Sequence, residues 1–239
     1  MEEKKERIEL IDALRGFAVT LMVIHHILYN MVVLLDAPGW FYRNPFFNIL
    51  QAFFIGLFIT ISGISSRFSR DNIKRGCIVI VFAFLITYIT IGIDMPIIFG
   101  ILHLLGFLML FYGITRKLWD KIPGKIAPVI YITLFIASVF ARANFSPVSD
   151  SYPLHDILSV LGWRQSGFIS YDYQPILPWI FIFLFGTWTG KYIMERKFPN
   201  WFYTVKVPVF PFIGRHALVV YIAHQPVLFG IIYLVSILL

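Results

Sequence analysis

The 239-residue chain has a single cysteine, Cys77, and it sits in an apolar run. That excludes a disulfide framework and a cysteine-based metal site. Charge is scarce too: Asp, Glu, Lys and Arg together make up 14% of the residues, where a soluble domain carries about 25%. No Gly-rich phosphate loop, zinc-ligand spacing or low-complexity segment occurs. Internal repeats are not evident, which weighs against an inverted-repeat transporter. The thirteen acidic residues all fall at the ends of hydrophobic stretches or between them. Proton-coupled carriers usually bury a carboxylate in mid-membrane, so that class also loses ground.

What the chain has in abundance is apolar surface. Hydrophobic residues make up 59% of it and its mean hydropathy is +0.78, values that belong to membrane proteins. Seven hydrophobic stretches, each near the length a bilayer requires, are expected at roughly 15–35, 46–66, 76–93, 97–115, 126–141, 176–194 and 216–239. Helix is the only state that satisfies the backbone of such segments in lipid. The expected fold class is therefore all-α, a polytopic helical bundle in a single membrane domain covering 1–239. The polar start MEEKKERIEL precedes a span too long for a signal peptide and lacks a cleavage site, so the first span reads as an uncleaved anchor.

The loops test that count. One set of connections holds Arg67, Arg70, Lys74 and Arg75, then Arg116, Lys117, Lys121 and Lys125, then Lys191, Arg196, Lys197, Lys206 and Arg215. The opposite set holds only Arg43, Arg142 and Arg164. This asymmetry places the N-terminus in the cytoplasm and the C-terminus outside. It also accounts for the net charge of +7 without nucleic acid, since the cations face anionic headgroups or a cytoplasmic anion. The longest connection, the external loop 142–175, carries Tyr152, His155, Trp163, Tyr171, Asp172 and Tyr173, with an amphipathic piece near 154–163. It reads either as a lid or binding loop or as an aromatic belt at the interface.

The first span, IDALRGFAVTLMVIHHILYN, holds residues that lipid does not tolerate without a reason. On a helix Arg15 falls within about 20° of His26, while Asp12 and Asn30 lie about 40° to either side of it. One polar stripe thus runs from a membrane surface to roughly mid-depth. His25 points some 100° away from His26 and cannot share its task. Two more histidines, His103 and His224, lie within spans, and His216 stands beside Arg215 at the start of the last one. A buried neutral imidazole can act as base or nucleophile, or simply bond a neighbouring helix. The second role suits His25 and His103, and the first suits His26, which shares its stripe with Arg15. Three histidines could hold a metal, yet their spacing requires none and no metal is expected. Arg67, Arg70, Lys74 and Arg75, with Arg15, could bind a polyanion at the mouth of the bundle. Positive-inside topology explains them as well.

Five segments together carry a family resemblance: IDALRGFAVTLMVIHH, SGISSRFSRDNIKRG, FGILHLLG, QPILPWIFIFLFGTWTGK and IGRHALVVYIAHQPVL. In this order, over nearly the whole chain, they resemble bacterial members of the heparan-alpha-glucosaminide N-acetyltransferase catalytic-domain family. The D-x-L-R-G-x-A start, with a histidine fourteen residues after the Asp, is also similar to membrane acyltransferases that modify bacterial surface sugars. The resemblance implies acyl transfer across a bacterial cytoplasmic membrane. Acetyl-CoA would approach from the cytoplasm, its phosphates held by Arg15, Arg70, Lys74 and Arg75. Its thioester would meet His26, as base in a ternary complex or as nucleophile through an acyl-imidazole. The acceptor would be an amine or hydroxyl of a sugar or glycan. Asn30 would orient His26 or donate to the oxyanion, and His224 and Gln225 would add a second polar contact. Asp172 would align the acceptor, while Asp12, His103 and His216 would support the site. The first external loop, 36–45, contains no histidine, so the family's histidine chemistry falls to His26.

Two other classes stay open on the residues alone. A small transporter or channel could line its solute path with the polar stripe, and a scaffold could use the same groups to bind helix to helix. Expected partners are membrane lipids, acyl-CoA, a glycan acceptor and a second copy in a homodimer, with no nucleic acid.

Overall fold

The computed structural model describes residues 7–144, 155–164 and 167–238. Tyr152, marked out in the long external loop, lies outside them. In chain order the helices are α1 (Glu9–Leu34), α2 (Pro45–Phe68), α3 (Asn72–Ile91), α4 (Ile101–Trp119), α5 (Ala127–Asn144), α6 (His155–Leu161), α7 (Ile176–Met194), α8 (Asn200–Thr204), α9 (Phe210–Arg215) and α10 (Ala217–Leu238). No strand occurs among the described residues. Seven of these helices, all but α6, α8 and α9, are long and apolar enough to cross a membrane. The protein is an integral, multi-pass helical membrane protein. Large apolar side chains such as Val81, Phe84 and Tyr88 on α3 and Ile136 and Phe140 on α5 stay exposed, as lipid-facing surfaces require.

The spans match the hydropathic stretches in number and order, while their ends differ by up to six residues; α3, for example, starts at Asn72 rather than 76. α1 starts at Glu9, six residues ahead of the apolar run that begins at 15. The helical backbone extends over Asp12 and Arg15 because these two neutralise each other across one turn, at 2.8 Å. α4 starts at Ile101 rather than 97, since Phe99 adopts φ +54 and Gly100 an extended conformation. The last stretch is preceded by an unexpected short helix, α9. Val209 at φ +63 turns the chain, and a proline in the first turn of α9 suits a helix start.

The chain gathers into two compact units, Met1–Ile61 with Arg196–Leu239, and Ser62–Glu195. In the first unit, α1 runs parallel to the α9–α10 segment. Gly16 meets Gly214, and ten residues further along both chains His26 meets His224. The backbones touch at the glycines: a Cβ on Gly16 would collide with the carbonyl of Phe210, and one on Gly214 with that of Asp12. Between membrane helices the attraction comes from such close packing, because lipid is as apolar as the side chains it replaces. Pro226 lies inside α10 and removes a backbone donor just beyond His224 and Gln225.

The second unit follows the same rule with different partners. Gly76 of α3 and Gly106 of α4 each abut the other's carbonyl, so these two helices also meet backbone to backbone. At the end of α2, Arg67 donates to the Tyr112 hydroxyl at 2.9 Å and to Asp120 at 2.6 Å. The fully buried Tyr112 phenol thereby has its partner. On the other side of this unit residues 170–174 are bonded to the segment that precedes α4. Tyr171 N donates to the Pro96 carbonyl and Gln174 N to that of Phe99, both at 3.0 Å. Ser170 Oγ meets both the N–H and the carbonyl of Ile98 at 2.9 Å. Arg142 at the end of α5 donates to the carbonyls of Gly162 and Leu177, each at 3.2 Å.

Candidate active site

The polar stripe of α1 faces the α9–α10 segment. At its start Asp12, only 6% exposed, accepts from Arg15 at 2.8 Å and pairs with Arg7 at 2.9 Å. Arg15 also reaches the Gly214 carbonyl at 3.3 Å. His216, exposed at the break between α9 and α10, donates from Nδ1 to the Phe212 carbonyl at 2.9 Å and so closes α9.

Deeper along the stripe, His26 Nδ1 and His224 Nε2 are 3.2 Å apart. His224 Nδ1 lies 2.5 Å from the Tyr221 carbonyl. A carbonyl can only accept, so His224 carries its proton on Nδ1 and offers the lone pair of Nε2 when neutral. His26 must then donate from Nδ1, which leaves the lone pair of His26 on Nε2. The chain Tyr221 carbonyl, His224, His26 fixes both tautomers. Asn30, one turn beyond His26, is wholly buried and donates from Nδ2 to Gln225 Oε1 at 3.0 Å. Its Oδ1 has no hydrogen-bond partner among the described residues, which leaves an acceptor at a point where an unmade bond is costly. Four of the residues expected to work together, His26, Asn30, His224 and Gln225, are thus joined pairwise across two parallel helices.

His25 turns away from this line, as its 100° offset requires. It is buried, packs edge-on against Phe54 with ring centres 5.4 Å apart, and shares a hydrogen bond of 3.1 Å with the Tyr42 hydroxyl. Burial, helped by neighbouring Tyr29, pushes the Tyr42 phenol up to about 12. The sequence reading missed Tyr42, because no linear spacing links the first external loop to α1.

The remaining expected residues lie in the second unit. Arg70, Lys74 and Arg75 are exposed in and just after the turn between α2 and α3, and the Lys74 backbone N–H is held by Asp71 at 2.8 Å. Arg15 belongs to the first unit. Asp172 caps α4, accepting from the backbone N–H of Ile101 at 3.2 Å. His103 is bonded on both ring nitrogens within its own unit. Its Nδ1 accepts from the Gly100 N–H at 3.2 Å, so its Nε2 carries the proton, 3.3 Å from the Thr87 hydroxyl. Thr87 in turn donates to the Ile97 carbonyl at 2.6 Å. Tyr173 donates to the Ser159 carbonyl at 2.5 Å. Burial raises the Tyr173 phenol, against the lowering pull of Arg142 and Arg164. Among the described residues no group of three or more His, Cys, Asp or Glu is arranged to hold a metal ion.

In comparisons with known proteins, the family model described as heparan-alpha-glucosaminide N-acetyltransferase, catalytic, matches residues 7–226. No curated protein and no solved structure matches the chain.

Proposed function

The chain belongs to the heparan-alpha-glucosaminide N-acetyltransferase catalytic family, a family of transmembrane acetyltransferases, and from that premise we propose how it carries out acetyl transfer. Acetyl-CoA on the cytoplasmic side is the donor, and an amine or hydroxyl of a sugar or glycan on the external side is the acceptor. The observation that carries this reading is the ordered pair of imidazoles, His26 and His224, with His26 Nε2 left as the basic atom.

His26 Nε2 takes the proton of the acceptor N–H or O–H as the acceptor heteroatom attacks the thioester carbonyl. The tetrahedral intermediate collapses with cleavage of the carbon–sulfur bond. The departing thiolate recovers the proton from His26, so the products are acetylated acceptor and free CoA. While His26 is charged, its Nδ1–H bond to His224 becomes charge-assisted and about twice as strong. Asn30 keeps one amide proton for the oxyanion after its bond to Gln225. Arg15, on the same stripe of α1 as His26, holds the carrier's phosphates. In this role Asp12 sets the Arg15 rotamer.

Incubation of the purified protein with labelled acetyl-CoA tests the proposal, with release of CoA or appearance of labelled product as the readout. His26→Ala should reduce turnover by about 10²- to 10⁴-fold, the contribution of a positioned base. A variant as active as the parent overturns the assignment. Movement of solute into liposomes without consumption of thioester would instead make the stripe a transport path.

A further inference from the structure

The second unit has a cleft that the acetyl-transfer reading does not use. It is a small, partly open hollow, and its lining includes Arg67, Trp119, Asp120, Tyr131, Trp188 and Lys191. We propose that this cleft binds the phosphodiester headgroup of an anionic phospholipid.

Its position in the fold is the first reason. Arg67 is in the last turn of α2, Trp119 ends α4, Tyr131 lies in the first turns of α5, and Lys191 is in the last turn of α7. Four membrane helices thus contribute their ends to one hollow, at the level where headgroups lie. Close backbone packing draws the two cations together: a Cβ on Gly190 would stand 2.9 Å from the Cβ of Arg67, and Lys191 is the next residue.

Charge is the second reason. Arg67 spends NH1 on Tyr112 and Asp120, and its Nε and second amino group make no hydrogen bond to a described residue. The Lys191 ammonium makes no ion pair or hydrogen bond with a described residue either. Two cations against the one carboxylate of Asp120 leave the lining at +1, which a single phosphodiester neutralises.

The walls are the third reason. Trp119 donates its indole N–H to Thr115 at 2.9 Å, and Trp188 donates to the Gly124 carbonyl at 2.8 Å. Both indoles therefore have their polar ends satisfied within the protein and present apolar ring surface, which suits the glycerol and ester region of a lipid.

The test reconstitutes the full chain into nanodiscs of phosphatidylcholine alone or of phosphatidylcholine mixed with phosphatidylglycerol. Co-purified lipid is identified by native mass spectrometry, and thermal unfolding is followed in parallel. Retention of phosphatidylglycerol over phosphatidylcholine and a higher melting temperature in the mixed discs are expected. Lys191→Gln should cut that retention about fivefold, the effect of one basic residue on an anionic lipid, and Lys191→Arg should restore it. Arg67 also holds Tyr112 and Asp120, so the Lys191 pair carries the test without risk to the fold. Equal retention of both lipids, or an unchanged Lys191→Gln, overturns the proposal. So does equal stabilisation of phosphatidylcholine discs by inorganic phosphate or glycerol phosphate, which would make the cleft a site for soluble anions.

Discussion

Replacing His224 by alanine separates a catalytic pair from two histidines that merely hold helices together. In the proposed reaction His224 does not touch substrate. It accepts the Nδ1–H of His26 at 3.2 Å and so keeps the His26 lone pair on Nε2, then stabilises the charge that His26 acquires. A hydrogen bond to a charged partner contributes about 1.5–3 kcal/mol. At about 1.4 kcal/mol per factor of ten, its loss slows turnover about 10- to 150-fold. Because the interaction strengthens only when His26 is protonated, the loss belongs in kcat, with KM for acetyl-CoA within about twofold of the parent. His224→Gln supplies a carbonyl oxygen that can still accept from His26 and should recover part of the rate. Steady-state release of CoA, measured for parent and both variants, gives the answer. If His224→Ala keeps kcat within about twofold while His26→Ala is inactive, the tautomer relay is refuted. If KM rises and kcat holds, His224 contacts substrate instead.

Three further outcomes follow from the packing and the loops. Gly16→Ala forces a Cβ into the Phe210 carbonyl; the overpacking should destabilise the protein by about 1–3 kcal/mol, and an unchanged melting temperature would show that α1 and α9 can separate freely. Asp172→Ala removes the carboxylate that receives the Ile101 N–H and should cost about 0.5–2 kcal/mol, as other helix caps do; a rise in KM for the acceptor with unchanged stability would give Asp172 the alignment role instead. Tyr42 yields a pH signature. Its folded phenol is raised to about 12 from the usual ~10, so ionisation is resisted only in the folded state. The stability this provides is complete below pH ~10 and is lost as pH rises through about 12. The melting-temperature difference between parent and Tyr42→Phe should therefore be constant from pH ~7 to ~9 and change between ~10 and ~12; a difference that stays flat to pH ~12 contradicts it.

The spans were legible because lipid imposes one rule on length, composition and backbone together, and the helices obey it. The boundaries that moved did so for local reasons that a hydropathy average cannot resolve. One is the charge pair of Asp12 with Arg15, which lets α1 begin early. Another is the positive φ of Phe99, which delays α4. Helical periodicity correctly placed Asp12, Arg15, His26 and Asn30 on one face, since that depends only on 3.6 residues per turn. It could not say what the face would meet. The partner of His26 is 198 residues away and that of Asn30 is 195. The pairing of His25 with Tyr42, the anchoring of Asp172 at the start of α4 and the enclosure of Arg67 by Tyr112 and Asp120 were equally hidden. Each depends on which helices become neighbours, and hydrophobic patterning sets helix faces without setting neighbours. The glycines did carry a readable signal, because Gly16 and Gly214, and Gly76 and Gly106, sit where helices must come closest.

The parallel course of α1 and the α9–α10 segment also sets the order in which the protein can mature. Helix α1 leaves the ribosome early, yet the imidazole that completes its pair is made 198 residues later. At ordinary rates of synthesis that interval is on the order of 10–40 s. During that time His26 and Asn30 sit in a growing chain with their polar groups uncommitted, open to lipid, to water or to the insertion machinery. A nascent chain that stalls before α10 has the first helix and none of its counterpart, so under the proposed mechanism it lacks the partner that fixes the His26 tautomer.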